Sequence, residues 1–152
     1  MKPRREGVYV TAKTFDGYRC SYRLWRSTNH GDKILRSHSL TIKAIFESHN
    51  ADVGLLYDGS EFMKEFKKVL DNTMMDTVIV AQNDPELAIF KAMEVKGLIK
   101  LITPPEVSAA LFAVEWFNWA KIWLINSNAI ELVDIRAVEV TENDTSNYLY
   151  TE

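Results

Sequence analysis

The stretch LRSHSL, residues 35–40, sets an arginine and a histidine two positions apart in a segment that otherwise alternates like a β-strand. Arg36, His38, Leu40, Ile42, Ala44 and Phe46 fall on one face, and Ser37, Ser39, Thr41 and Lys43 fall on the other, because successive strand side chains point to opposite sides. Burying such polar groups costs free energy unless they are paired. His38 therefore reads in three ways: a metal ligand, a hydrogen-bonded core histidine, or a member of a polar pocket. Arg36 reads either as a strand-end arginine paired with an acid, or as a cation that grips a carboxylate or an anionic ligand through bidentate contacts. Upstream, Tyr18, Cys20, Tyr22 and Leu24 alternate against polar neighbours, so Cys20 and Tyr22 share one face. Cys20 reads as a small buried hydrophobe, since no histidine partner for a nucleophile is evident. Near the C-terminus, Glu142 follows Val138 and Val140 on one strand face. It points either inward or to a subunit interface, or it is a solvated glutamate at a strand end.

These residues need elements to hold them. Residues 7–25 are β-rich, and FDGY within them reads as a tight Asp16-Gly17 hairpin turn or as a bulge in one long strand. With Ile34 to Ser48 this segment forms a long antiparallel hairpin. The period then changes: Phe62, Phe66, Val69 and Leu70 follow helical spacing, with Asp58 or Ser60 as the cap. MMDTVIVAQNDP supplies a short strand, Glu86 to Glu94 a short helix, and GLIKLI another short strand. Thr103, Pro104, Pro105 and Glu106 make a capping-box signature opening the apolar helix EVSAALFAVEWFNWAKIW. Trp116, Trp119 and Trp123 on it read as core or interface aromatics. AKIWLI, a turn at NSNA, and IELVDIRAVEVTE close the chain as two antiparallel strands. The order β-β-α-(insert)-α-β-β makes an α+β domain, an antiparallel four-stranded sheet with two helices packed on one face plus a small insert.

Composition narrows the functional classes. A chain of 152 residues, 47% hydrophobic with 6 glycines, is expected to fold as one domain over 1–152, with 1–6 flexible. The net charge of -3 and the brevity of the basic start at Lys2, Arg4 and Arg5 argue against a nucleic-acid partner. No run approaches membrane-spanning length and the N-terminus lacks a signal peptide's apolar core, so no membrane association is expected. A single cysteine excludes an intrachain disulfide and suits a reducing, cytoplasmic setting.

The order and spacing of CSYRL, LRSHSL, GLLYDGSEFMKEFKKVLDNTMM and VEVTENDTSNYLY resemble the family of 6-pyruvoyltetrahydropterin and 6-carboxytetrahydropterin synthases, which has the tunnelling fold. The similarity runs from about residue 15 to Tyr150 and is loose between Val78 and Thr103. The resemblance implies a zinc held by one histidine of the first strand and a His-x-His of the second. Here Tyr22 and Arg36 stand at two of those positions and only His38 is kept. A guanidinium has no lone pair to give. Cys20 as a thiolate, Tyr22 as a phenolate, and His30 and His49 from their loops are the other candidate donors. No cofactor is therefore expected, and His38 is the metal ligand if zinc is retained. The family's activated cysteine has no counterpart in HGDKIL, and its Asp-His pair becomes Asp71 and Asn72, leaving Asp71 as the remaining catalytic candidate. The family's pterin-anchoring glutamate matches Glu142, whose two acceptor oxygens suit the paired N–H donors of a pterin or guanine-like ring. Tyr22, Arg36, His38 and Glu142 are thus the expected ligand-binding set. The resemblance further implies a homo-oligomer, trimer or hexamer, with sites at subunit boundaries. The expected function is a pterin-synthase-like protein that has lost its zinc lyase site and binds such a ring or serves as an oligomeric structural or interaction protein. The enzymatic alternative is a carbon-oxygen lyase acting on dihydroneopterin triphosphate in pterin or 7-deazaguanine biosynthesis.

Overall fold

The chain is described from a computed structural model over residues 8–48, 59–131 and 133–152. Lys2, Arg4 and Arg5, the stretch 1–6 expected to be flexible, His49 and Asp58 lie outside those residues.

Two long strands, β1 (Tyr9–Tyr22) and β2 (Arg36–Ser48), form the antiparallel hairpin that their alternation predicts. Asp16-Gly17 is a bulge within β1, not a turn. The register moves from Phe15↔Ile42 to Tyr18↔Leu40, so two residues of β1 stand opposite Thr41 alone. Gly17 takes the left-handed φ of 81° that the extra residue requires. The Asp16 carboxylate fixes the bulge by accepting the Thr41 hydroxyl at 2.6 Å and the Gly17 N–H at 2.7 Å. The geometric consequence is a three-residue step that keeps Phe15, Tyr18, Cys20 and Tyr22 all facing the core.

Helix α1 (Ser60–Thr73) buries Phe62, Phe66 and Leu70. Its N-cap position is Gly59, in the left-handed conformation, so Ser60 is the first helical residue and not the cap. Strand β3 (Thr77–Ile79), helix α2 (Leu87–Val95) and strand β4 (Leu101–Ile102) follow where short elements are expected. Helix α3 (Ala109–Asn126) is capped by Ser108, whose Oγ accepts the Leu111 N–H at 3.1 Å. The capping box expected at Thr103 does not form, because that stretch is used by the sheet. Ile102 and Pro104 accept the N–H groups of Val80 and Gln82, each at 2.9 Å. AKIWLI continues α3 instead of starting a strand, since Ala120 and Leu124 carry the helical buried stripe onward. The final strands are β5 (Asp134–Glu142) and β6 (Ser146–Thr151).

The described strands form one six-stranded sheet in the order β4-β3-β1-β2-β5-β6. This corrects the expected four-stranded antiparallel sheet. β3 runs parallel to β1 and β4 parallel to β3, joined through α2, so the insert is a small βαβ unit that widens the sheet. Strands of three and two residues are too short to show alternation, which is why their pairing is not written in the sequence. α1 and α3 cover one face. Phe66 lies between Phe15, edge-on at 4.8 Å, and Trp119, stacked at 5.2 Å, and Phe62 meets Trp123 at 5.4 Å. The three tryptophans of α3 therefore belong to the core and its margin.

Candidate functional site

Register brings the chemistry-bearing residues together at one end of the sheet. Tyr22 pairs with Arg36, Cys20 with His38, and Leu40 with Glu142. Tyr22, Arg36, His38 and Glu142 line a common cleft of about 70 Å³ with Arg23, Leu24, Asp32 and Ile34. The four residues expected to bind a ligand thus share one cavity.

Glu142 is the centre of this arrangement. The Tyr22 hydroxyl donates to its Oε2, and His38 Nδ1 lies 3.9 Å from the same oxygen. Tyr22 is 2% exposed, with Phe112 edge-on at 5.4 Å and the His38 ring stacked on it at 3.8 Å, 14° from parallel. Burial first, and then the bond to Glu142, push the Tyr22 phenol far above its usual range. Burial and the charge of Glu142 also push the Cys20 thiol up to about 12. Both groups keep their protons around neutral pH.

The loop between β1 and β2 supports the other wall. Arg36 donates to the Gly31 carbonyl inside the short 3₁₀ turn His30–Lys33, which Asn29 caps by accepting the Gly31 N–H at 3.0 Å. A Cβ on residue 31 would lie 2.7 Å from the Arg36 guanidinium, so a side chain there would make the tip of Arg36 shift. His30, on this turn, is exposed and does not line the cleft.

Asp71 lies elsewhere. It accepts the Tyr18 hydroxyl at 2.8 Å and Lys67 Nζ at 2.6 Å, and Lys67 holds its carboxyl below the usual range. It lines a separate surface cleft with Tyr18, Met63 and Lys67. Within this chain it does not join Glu142.

One pair escaped the sequence reading. Arg23 grips Asp84 bidentately, Nε to Oδ2 at 2.9 Å and the terminal nitrogen to Oδ1 at 2.5 Å, and donates to the Lys33 carbonyl at 3.2 Å. Asp84 is 1% exposed at its side chain and also accepts the Glu86 N–H at 2.9 Å. Burial pushes its carboxyl up, but the Arg23 bonds outweigh this and hold it below the usual range. The available signal was QNDP, an aspartate before proline at a helix entry. Arg23 also joins the site cleft to a larger one of about 410 Å³, whose wall includes Trp25, Arg26, Asn83 and Ser108.

A zinc of the kind the resemblance implies does not fit these residues. A catalytic zinc needs about three converging, deprotonated protein ligands. Here the phenol lies flat on the imidazole and directs its hydrogen to Glu142, the thiol holds its proton, and Arg36 has no lone pair. Among the described residues no three His, Cys, Asp or Glu side chains converge as a metal site.

The hairpin of long strands, the six-stranded sheet and the covering helices match the fold of the 6-pyruvoyltetrahydropterin synthases. Solved structures agree. An uncharacterized protein from Wolinella succinogenes matches with a TM-score of 0.81 at 15% identity, over 95% of this chain and 98% of that one. The 6-pyruvoyl tetrahydropterin synthase of Plasmodium falciparum matches at 0.60 and 13% identity, over 94% and 98%. A catalytic-residue mutant of the Plasmodium vivax enzyme matches at 0.61 and 10% identity, over 95% and 98%. At these identities the likeness is one of fold. No family model and no curated protein matches the chain. No helix among the described residues is long and apolar enough to cross a membrane.

Proposed function

We propose that this chain is a metal-free member of the pterin-synthase fold that binds a pterin or guanine-like ring at Glu142. The observation that carries the reading is the Glu142 carboxylate, drawn into a cleft beside Tyr22, His38 and Arg36, with one of its oxygens, Oε2, engaged among the described residues. Each carboxylate oxygen accepts more than one hydrogen bond, so Glu142 retains capacity for two parallel N–H donors of an amino-pyrimidine edge. Arg36 spends one N–H on Gly31 and keeps others for an anionic substituent of the ligand.

Homo-oligomerisation belongs to the same proposal. β6 lies at the sheet margin with Tyr148 and Leu149 exposed, and an exposed strand edge is normally paired or covered. A trimer or hexamer that pairs this edge would enlarge a cleft otherwise too small for a bicyclic ring.

Metal analysis and thermal-shift titration decide the matter. Purified protein is expected to carry no stoichiometric zinc and to be stabilised by pterin or guanosine monophosphate, with the stabilisation lost in Glu142→Gln. Stoichiometric zinc, or turnover of dihydroneopterin triphosphate, overturns the metal-free reading in favour of a lyase. No stabilisation by any ring leaves the structural or interaction role in its place.

A further inference from the structure

The β5-β6 turn carries a device that acts on His38. Asn143 and Asp144 both adopt left-handed backbone, φ 53° and 57°, in a turn closed by the Thr145 N–H donating to the Glu142 carbonyl at 3.1 Å. This turn swings the Asn143 side chain back over β2. There its Oδ1 accepts the Ser39 backbone N–H at 2.9 Å, while the Asn143 backbone N–H donates to the Ser39 carbonyl at 2.8 Å. A backbone N–H can only donate, so the oxygen of the Asn143 amide must face Ser39 and its NH₂ must face the other way. What it faces is His38 Nδ1, at 3.2 Å.

An NH₂ group can only donate, and so the uncharged His38 ring must present a bare Nδ1 to it. The ring proton then sits on Nε2. That nitrogen has no hydrogen-bond partner among the described residues, and it is left to address the cleft that His38 lines. A 180° flip would keep the stack on Tyr22 but set Cδ2 against the Asn143 NH₂, losing that hydrogen bond.

We infer that Asn143 is a positioning residue that fixes His38 as the Nε2–H tautomer, giving the cleft a hydrogen-bond donor beside the Glu142 acceptor. This pairing selects a ring edge on which a carbonyl oxygen neighbours the amino donors, and disfavours one that carries a weaker acceptor in the carbonyl's place. The ligand selectivity rests on the reading of Glu142 as the ring's anchor; the tautomer does not.

Long-range ¹H–¹⁵N spectra of the uncharged histidine ring, assigned through His38→Gln, test the tautomer without any ligand. The expected result is a protonated Nε2 and an unprotonated Nδ1. Asn143→Gly keeps the left-handed backbone but deletes the amide, and is expected to release a mixture of tautomers. Asn143→Asp substitutes an acceptor and is expected to move the proton to Nδ1. A wild-type ring protonated at Nδ1, or a mixture unaffected by either variant, overturns the inference. Selectivity is read by titrating guanine against 6-thioguanine, which keeps the N1–H and 2-amino donors that face Glu142 and replaces only the carbonyl oxygen by a weaker sulfur acceptor. Wild type is expected to prefer guanine by about tenfold, the size of one hydrogen bond, and Asn143→Asp to lose that preference. If the tautomer is as expected and neither ring binds, it is the Glu142 reading that fails. If both bind equally and the tautomer is as expected, His38 does not read the ring and the selectivity is overturned.

Discussion

Three acidic protons in the core are held by burial around a small amount of charge. Tyr22 and Cys20 flank Glu142, and Tyr18 donates to Asp71; in each case burial is the first cause and the neighbouring carboxylate adds to it. A group whose native pKa is raised keeps its proton when the unfolded chain has already lost it. Above the unfolded pKa the unfolded state binds fewer protons, so stability must fall as pH rises. For Cys20 the window runs from the ordinary thiol value of 9.0 to about 12. Urea unfolding across that window is expected to show a steady loss of stability. Cys20→Ala should flatten the slope inside the window while leaving it unchanged below, whatever the substitution does to the absolute value. An unchanged slope would show that the thiol is not shielded. The same residues explain why the site was only partly legible. Residue type and strand parity are enough to place Tyr22, His38 and Glu142 on inward faces, but not to show that Tyr22 lies on His38 and turns its hydroxyl to Glu142.

The bulge at Asp16-Gly17 shows how one local element decides the face presented by the rest of a strand. Without the extra residue, Cys20 and Tyr22 would point away from the helices if Phe15 stayed in the core, and the cleft would lose its floor. A Cβ on Gly17 meets nothing within 4 Å, so Gly17→Ala isolates the backbone cost of a left-handed residue. The expected loss is about 1–2 kcal/mol in chemical denaturation, with the near-ultraviolet signature of the packed aromatics retained. A loss near zero would indicate that the strand can slip into an unbulged register. Elements of this scale divide by length in what the sequence reveals. The 14-residue β1, the 13-residue β2 and the amphipathic α1 carry full periods and are readable. The end of α3 is not, because AKIWLI is apolar enough to pass for a strand and the helical stripe of Ala120 and Leu124 is visible only against the rest of the helix. The six-stranded sheet is hidden for the same reason, since β3 and β4 find their places by pairing beside β1 and not by pattern.

Across the whole molecule, the βαβ insert and the site are joined through Arg23. Its guanidinium reaches Asp84 at the entry to α2 and the Lys33 carbonyl in the loop whose Gly31 carbonyl receives Arg36. The insert is thus tied both to the strand that carries Tyr22 and to the turn that holds the cleft's cation. An ion pair with one partner buried and the other mostly so contributes little over an apolar pair of similar volume, because desolvation offsets attraction, yet breaking it by removing one partner is costly. Asp84→Ala leaves Arg23 without its carboxylate and also removes the acceptor of the Glu86 N–H. It is expected to destabilise by about 3–5 kcal/mol in urea unfolding. Joint replacement, Arg23→Met with Asp84→Leu, should recover a large part of that loss, which a simple gap in packing would not allow. Ring-ligand affinity separates the two roles of the pair. If the pair only holds the insert, the double variant should bind as wild type. If it also orders the 30–33 turn, affinity should stay low although stability returns, because Arg36 would then lack the fixed Gly31 carbonyl against which it is set.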